Sequence, residues 1–120
     1  MKQSINLKDI PKGGPYSHAV INNGIVYLSG QTGNIAGKQL TFREQFNNTV
    51  EKIVKILEAS GSSLDKVIKV SVFLSKPEFF QEMNDLFGKH FGKEPPVRTT
   101  IVSGFTSPEV LVELDVTATQ

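Results

Sequence analysis

Arg98 is the side chain in this sequence best placed to do chemistry. Pro95-Pro96 stiffen the chain just before it and β-branched residues follow, so its guanidinium sits on a strand and not on a mobile loop. A planar fork held in this way can grip a small organic acid through two parallel charge-assisted hydrogen bonds, aligning the atom attached to that carboxylate. The plainer use is an ion pair. Strand alternation places Arg98 and Glu113 on one sheet face, where a cross-strand pair would contribute only about 0.2 to 1 kcal/mol. Asn84 lies four residues after Phe80 and three before Phe87, which sets an amide beside an apolar helix stripe, where it needs either a ligand or a cap. The two histidines offer less: His90 reads as a packed or helix-terminal residue, and His18 as a structural residue on a strand.

Several functional classes drop out on composition. With Cys at 0 there is no thiolate zinc site, iron-sulfur cluster, disulfide framework or cysteine nucleophile, and neither His falls in a metal-ligand spacing, so no metal and no cofactor are expected. The phosphate-loop, dinucleotide-binding, zinc-protease and serine-hydrolase motifs are all absent. A formal net charge of +1, from 13 Lys+Arg against 12 Asp+Glu, supplies no field for a polyanion, which argues against nucleic acid as a partner. The amino terminus has no apolar stretch resembling a signal peptide, and the longest apolar runs are a fraction of the ~20 residues that cross a bilayer. A cytoplasmic protein with no membrane partner is the expectation.

The 120 residues suit one domain, 1–120, with neither a linker nor a repeat in view. Ser17 to Asn22 and Ile25 to Gly30 read as a hairpin joined by Asn22-Asn23-Gly24. Thr41 to Glu44 is a capping box that opens a helix with apolar positions Phe42, Phe46, Val50, Ile53, Val54 and Leu57, a Glu51–Lys55 pair on its other side, and Ser60-Gly61 at its end. Lys66 to Leu74 alternates as a strand with Ile68, Val70, Val72 and Leu74 on one face. Pro77 opens a second helix whose stripe is Phe79, Phe80, Met83, Leu86, Phe87 and Phe91. Two strands follow, Val97 to Val102 and Val110 to Thr117, joined by a turn-rich segment and reading locally as neighbours. The order ββαβαββ gives an α+β fold with two helices on one face of a mixed sheet. The opposite face would carry Tyr27, Leu111 and Thr117 together with Arg98, Thr100 and Glu113, a mixture that suits an interface with another subunit.

Taken together, Gly14-Pro15-Tyr16-Ser17-His18-Ala19, Tyr27-Leu28-Ser29-Gly30-Gln31, Met83-Asn84, Pro96-Val97-Arg98 and Val112-Glu113-Leu114 resemble the RidA/YjgF family of reactive-intermediate deaminases along the whole chain. The resemblance implies a chorismate-mutase-like fold assembled as a homotrimer with active sites in clefts between subunits. It also implies that the last strand inserts between earlier ones, so that Arg98 and Glu113 need not pair. The implied reaction is hydrolysis of 2-imino acids, the tautomers of enamines such as 2-aminoacrylate released by pyridoxal-phosphate enzymes, to 2-oxo acids and ammonia. Carried over from the family, Arg98 holds the substrate carboxylate, Glu113 places the water, and Tyr16 closes the pocket and assists proton transfer. Ser29, Gly30, Asn84 and Thr100 line the pocket, Thr100 standing where many members have cysteine. A non-catalytic 2-oxo acid binder, a chaperone-like protein and a ribonuclease are the competing family functions.

Overall fold

The computed structural model describes residues 1–120 and has seven strands and two α-helices. In chain order these are β1 (Gln3–Ile5), β2 (Ala19–Asn22), β3 (Ile25–Leu28), β4 (Gln31–Thr32), α1 (Phe42–Ala59), β5 (Val67–Leu74), α2 (Phe80–Phe91), β6 (Val97–Val102) and β7 (Val112–Thr119). All strands form one mixed sheet in the order β1-β2-β3-β7-β5-β6, with β4 adding to β7. The helices pack on one face of it over a core of 23 buried residues. No helix is long and apolar enough to cross a membrane.

Local chemistry accounts for most element boundaries. Asn23 and Gly24 both take positive φ, 51° and 76°, the conformation a two-residue hairpin turn requires between β2 and β3. Thr41 and Glu44 form the reciprocal capping box at the start of α1. At its end Gly61 adopts φ 75°, and the Ser62 amide reaches back to the Leu57 carbonyl at 2.8 Å. Pro77 opens a single 3-10 turn, Pro77–Phe79, that leads into α2. Phe79 stacks on Phe42 with ring centroids 4.7 Å apart, tying the start of α2 to the start of α1.

The fold departs from the sequence reading at several points, each with a physical cause. Strands β1 and β4 hold three and two residues, too few for a periodic signal, and they form because β2 and β7 offer open edges. A bulge between Val67 and Lys69 turns Val67 into the core and leaves Ile68 45% exposed, reversing the expected alternation there. Phe80 is likewise exposed, and Lys55 pairs with Asp9 at 3.7 Å, the only ion pair in the chain, in place of Glu51. Leu111 precedes β7 and packs against the core, so strand alternation does not govern it.

The largest correction concerns β6. It does not pair with β7. It runs parallel to β5, while β7 lies antiparallel between β3 and β5. Arg98 aligns with Val70, and Thr100 with Val72, both core residues, so Arg98 and Thr100 point to the helical face. Val97, Thr99 and Ile101 take the open face, where Val97 and Ile101 are exposed together with Tyr27.

Gln45 sits in the apolar stripe of α1 at 2% exposure and holds the segment preceding β7 by both ends of its amide. Its Nε2 donates to the Glu109 carbonyl at 2.8 Å, and its Oε1 accepts from the Leu111 amide at 2.9 Å. Gln45→Leu keeps the bulk and strands both backbone groups, so urea unfolding should show a loss of about 1 to 3 kcal/mol. Gln45→Glu, which keeps the acceptor alone, should lose at least as much near neutral pH.

Candidate active site

Glu113 lies on β7 across from Thr32 of β4, with its side chain on the open face of the sheet. Its carboxyl group rests against Gly30: a methyl group added to that glycine would lie 2.2 Å from Oε2. The tight approach explains why Gly occupies this position in Ser29-Gly30-Gln31, although its φ is unremarkable. Burial pushes the Glu113 carboxyl up from its ordinary value, and the negative charge of Asp115, two residues along the same face, pushes it further. No cation pairs with it within the chain.

Ser29 is fixed beside it by two bonds to the segment that leads into β2. Its amide donates to the His18 carbonyl at 3.0 Å and its hydroxyl to the Ser17 carbonyl at 2.7 Å. His18 itself is fully buried, with Nδ1 accepting from the Leu7 amide at 3.0 Å, which accords with a structural role. Tyr16 is 44% exposed, and its hydroxyl accepts from the Gly13 amide at 2.8 Å, closing the loop ahead of β2. Tyr16, Ser29, Gly30 and Glu113 thus line one cleft of about 700 Å³.

Arg98, Asn84 and Thr100 are elsewhere. Arg98 lies over the aromatic side of α2, its guanidinium carbon 4.9 Å from the centre of the Phe87 ring and 5.9 Å from that of Phe80. Its Nη1 approaches the Met83 sulfur at 3.7 Å. Asn84 is half-buried one helical turn from both Phe80 and Phe87, on the face of α2 that receives Arg98. Thr100 lines a shallow groove with Phe80, and its buried hydroxyl has no partner.

Arg98 and Glu113 cannot meet within one chain. Across the sheet Arg98 aligns with Val70 and Val116, so Glu113 is two strands away and three residues further along, roughly 14 Å at the backbone by ordinary strand geometry, on the opposite face. The cross-strand ion pair considered from strand alternation is therefore absent. One chain carries two separate clusters: a carboxyl cleft without a guanidinium, and a guanidinium bedded on aromatic rings without a carboxylate.

The sequence pattern of the family described as Endoribonuclease L-PSP matches residues 7–120. The chain belongs to this family, also known as YjgF/RidA. A RutC family protein of Saccharolobus solfataricus is 36% identical over 125 residues, covering 98% of each chain. Among solved structures, yeast Mmf1 superposes with a TM-score of 0.91 at 30% identity, covering 100% of this chain and 99% of that one. RidA from the Antarctic bacterium Psychrobacter sp. PAMC 21119 superposes at 0.88 with 28% identity, covering 98% and 99%.

In this YjgF/RidA chain the cleft also contains a residue that sequence reasoning passed over. Lys52 of α1 reaches the Thr32 carbonyl at 2.8 Å and lines the cleft with Glu113. Asn48, one turn earlier, donates to the Gly33 carbonyl at 3.1 Å, and Gly33 lies so close to α1 that a methyl group there would meet the Gln45 carbonyl. Asn48 and Lys52 resemble ordinary solvent-face residues in the sequence. Gln45 and Thr49 did leave a signal, as polar residues inside an apolar stripe.

Gly30→Ala should separate site geometry from stability. Only the end of a flexible side chain must move, so the thermal midpoint should stay near that of the parent. Displaced toward water, the Glu113 carboxyl should titrate closer to its ordinary value, as followed by carboxyl 13C shifts. An unchanged Glu113 titration would show that the contact with Gly30 does not hold it.

Proposed function

We propose that this protein hydrolyses reactive 2-imino acids, the tautomers of enamines released by pyridoxal-phosphate enzymes, to 2-oxo acids and ammonia, in sites assembled between subunits of a homotrimer. The observation that carries the reading is the division of the site into two complementary halves that one chain cannot join. Exposed Tyr27, Val97 and Ile101 on the open sheet face, at 50%, 67% and 47%, supply an apolar contact surface for such an assembly.

In this mechanism Arg98 of one subunit holds the substrate carboxylate through its fork, the aromatic bed of Phe87 and Phe80 fixing the plane of the guanidinium. The neighbouring subunit presents Glu113 beside the imine carbon. Water adds to the protonated imine as Glu113 takes its proton, forming a carbinolamine. That proton returns to nitrogen, and the carbon-nitrogen bond breaks as the again-ionised Glu113 takes the carbinolamine hydroxyl proton and passes it to the departing ammonia, leaving a 2-oxo acid and an ammonium ion. An iminium carbon is already electrophilic, so positioning and one proton acceptor suffice. Ser29, Asn84 and Thr100 are the neutral groups available to the substrate nitrogen and the water, with Tyr16 covering the cleft. Phosphodiester cleavage has less support, because His18 is buried away from the cleft and His90 lies between the helices, its Nε2 3.2 Å from Asn47 Oδ1.

Complementation between variants tests the shared site. Arg98→Ala and Glu113→Gln assemblies should each be nearly inactive toward 2-iminopropanoate generated in place by a serine dehydratase, and Arg98→Lys should fail almost as badly as Arg98→Ala. Unfolding the two inactive variants together and refolding them at equal ratio should restore about a quarter of the parent rate, since one interface in four then carries both intact groups. No recovery in properly sized mixed trimers, or full activity of Arg98→Ala alone, would overturn the reading.

The pH profile provides a second test. Glu113 must be ionised to accept the proton, and its carboxyl titrates above the ordinary 4.5, so kcat/KM should fall as the pH drops through that raised value. Asp115→Asn removes a like charge from beside it, and the acid limb should move to lower pH. An acid limb unaffected by either Asp115→Asn or Glu113→Gln would assign it to another group.

A further inference from the structure

Lys52 reaches from α1 into the cleft that carries Glu113. The Lys52 ammonium is half-buried and is partnered within the chain by a single backbone carbonyl, that of Thr32, leaving N–H donors unused. No carboxylate lies within 4.0 Å of it, the only ion pair in the chain being that of Lys55 with Asp9. Glu113 lines the same cleft but lies beyond ion-pair distance, and burial lowers the Lys52 ammonium from its ordinary value. A partly dehydrated cation without a counter-charge loses solvation that an anionic ligand would restore. Lys12, the other cation lining the cleft, is exposed and already bonds the Asn6 side chain. Asn34, Thr106 and Ser107 add neutral polar groups to the same cleft.

From this juxtaposition we infer that Lys52 recognises a second carboxylate on the ligand, so that the site favours dicarboxylic 2-imino and 2-oxo acids over their monocarboxylic counterparts. The inference rests on the deaminase reading above, in which Arg98 of a neighbouring subunit holds the first carboxylate. Lys52 is then a specificity residue at the side-chain end of the substrate, outside the chemical step. Imine hydrolysis itself would proceed unchanged at Glu113, and the added carboxylate would act on binding.

Calorimetric titration of the assembled protein with 2-oxoglutarate and with 2-oxobutanoate tests this directly. The parent should bind 2-oxoglutarate more tightly. Lys52→Met keeps the apolar stem without the charge and should weaken 2-oxoglutarate by about tenfold or more, while 2-oxobutanoate stays within about twofold. Lys52→Arg, which keeps a cation, should retain most of the preference, and Lys12→Ala should leave both affinities near those of the parent. Equal affinity of the parent for the two acids, or equal weakening of both by Lys52→Met in a folded assembly, overturns the inference and leaves the deaminase reading standing. Binding of neither acid by the parent overturns both.

Discussion

The insertion of β7 between β3 and β5 is the constraint on which the site depends. A final strand that simply turned back on β6 would have set Arg98 and Glu113 side by side. Instead β7 crosses to the middle of the sheet, pairing with β3 and β4 on one flank and β5 on the other, and its alternate residues Val112, Leu114, Val116 and Ala118 are fully buried under the helices. With those positions committed to the core, Glu113 and Asp115 have no choice of face. The same register, carried through β5, decides that Arg98 faces α2.

Helix α1 does more than cover this sheet. Along one side of its apolar stripe, Gln45, Asn48 and Lys52 each reach a backbone group of a loop: Gln45 the segment before β7, Asn48 and Lys52 the segment around β4. Loop backbone brought into a protein must find hydrogen-bond partners, and here a single helix supplies them for both segments that flank Glu113. The carboxyl group is therefore held by the core and by α1, with Gly30 leaving it room. A groove of about 750 Å³ between α1 and α2, on the outer side of the molecule, holds none of these groups and is lined instead by Val50, Val54, Leu86 and His90.

Much of this was legible in the sequence, and the rest was hidden for identifiable reasons. The hairpin turn at Asn23-Gly24, the capping box at Thr41 and the strand alternation after Lys69 depend on neighbouring residues, so their signals lie within a few positions. The place of β7 depends on pairings with strands far away in the chain. Local reading joined it to β6 and so placed Arg98 and Thr100 on the wrong face, and only the resemblance to a family signalled the insertion. The bulge that exposes Ile68 is hidden too, because a single extra residue inverts an alternation that otherwise looks perfect. Among site residues, Arg98 and Glu113 stood out through flanking prolines and strand context. Lys52 did not, because a lysine that lines a cleft and one that faces water have the same helical neighbours.

The separation of the guanidinium from the carboxyl within a chain also has an electrostatic consequence. Paired in one subunit, Arg98 would occupy its fork with Glu113 and pull the carboxyl down toward full ionisation and weak basicity. Resting on Phe87 and Phe80, the fork keeps its orientation with no anion competing for its donors. Glu113, desolvated beside Gly30 with Asp115 two residues along the same strand, keeps a raised affinity for a proton, the property that its proposed role as a base requires. In the proposed assembly the substrate brings its own carboxylate to Arg98, which offsets the charge of the guanidinium while the substrate is bound. On the proposed reading the contact that orients the substrate also limits the pull of the guanidinium on the carboxyl that activates water, and a pair facing each other across one sheet would lose both.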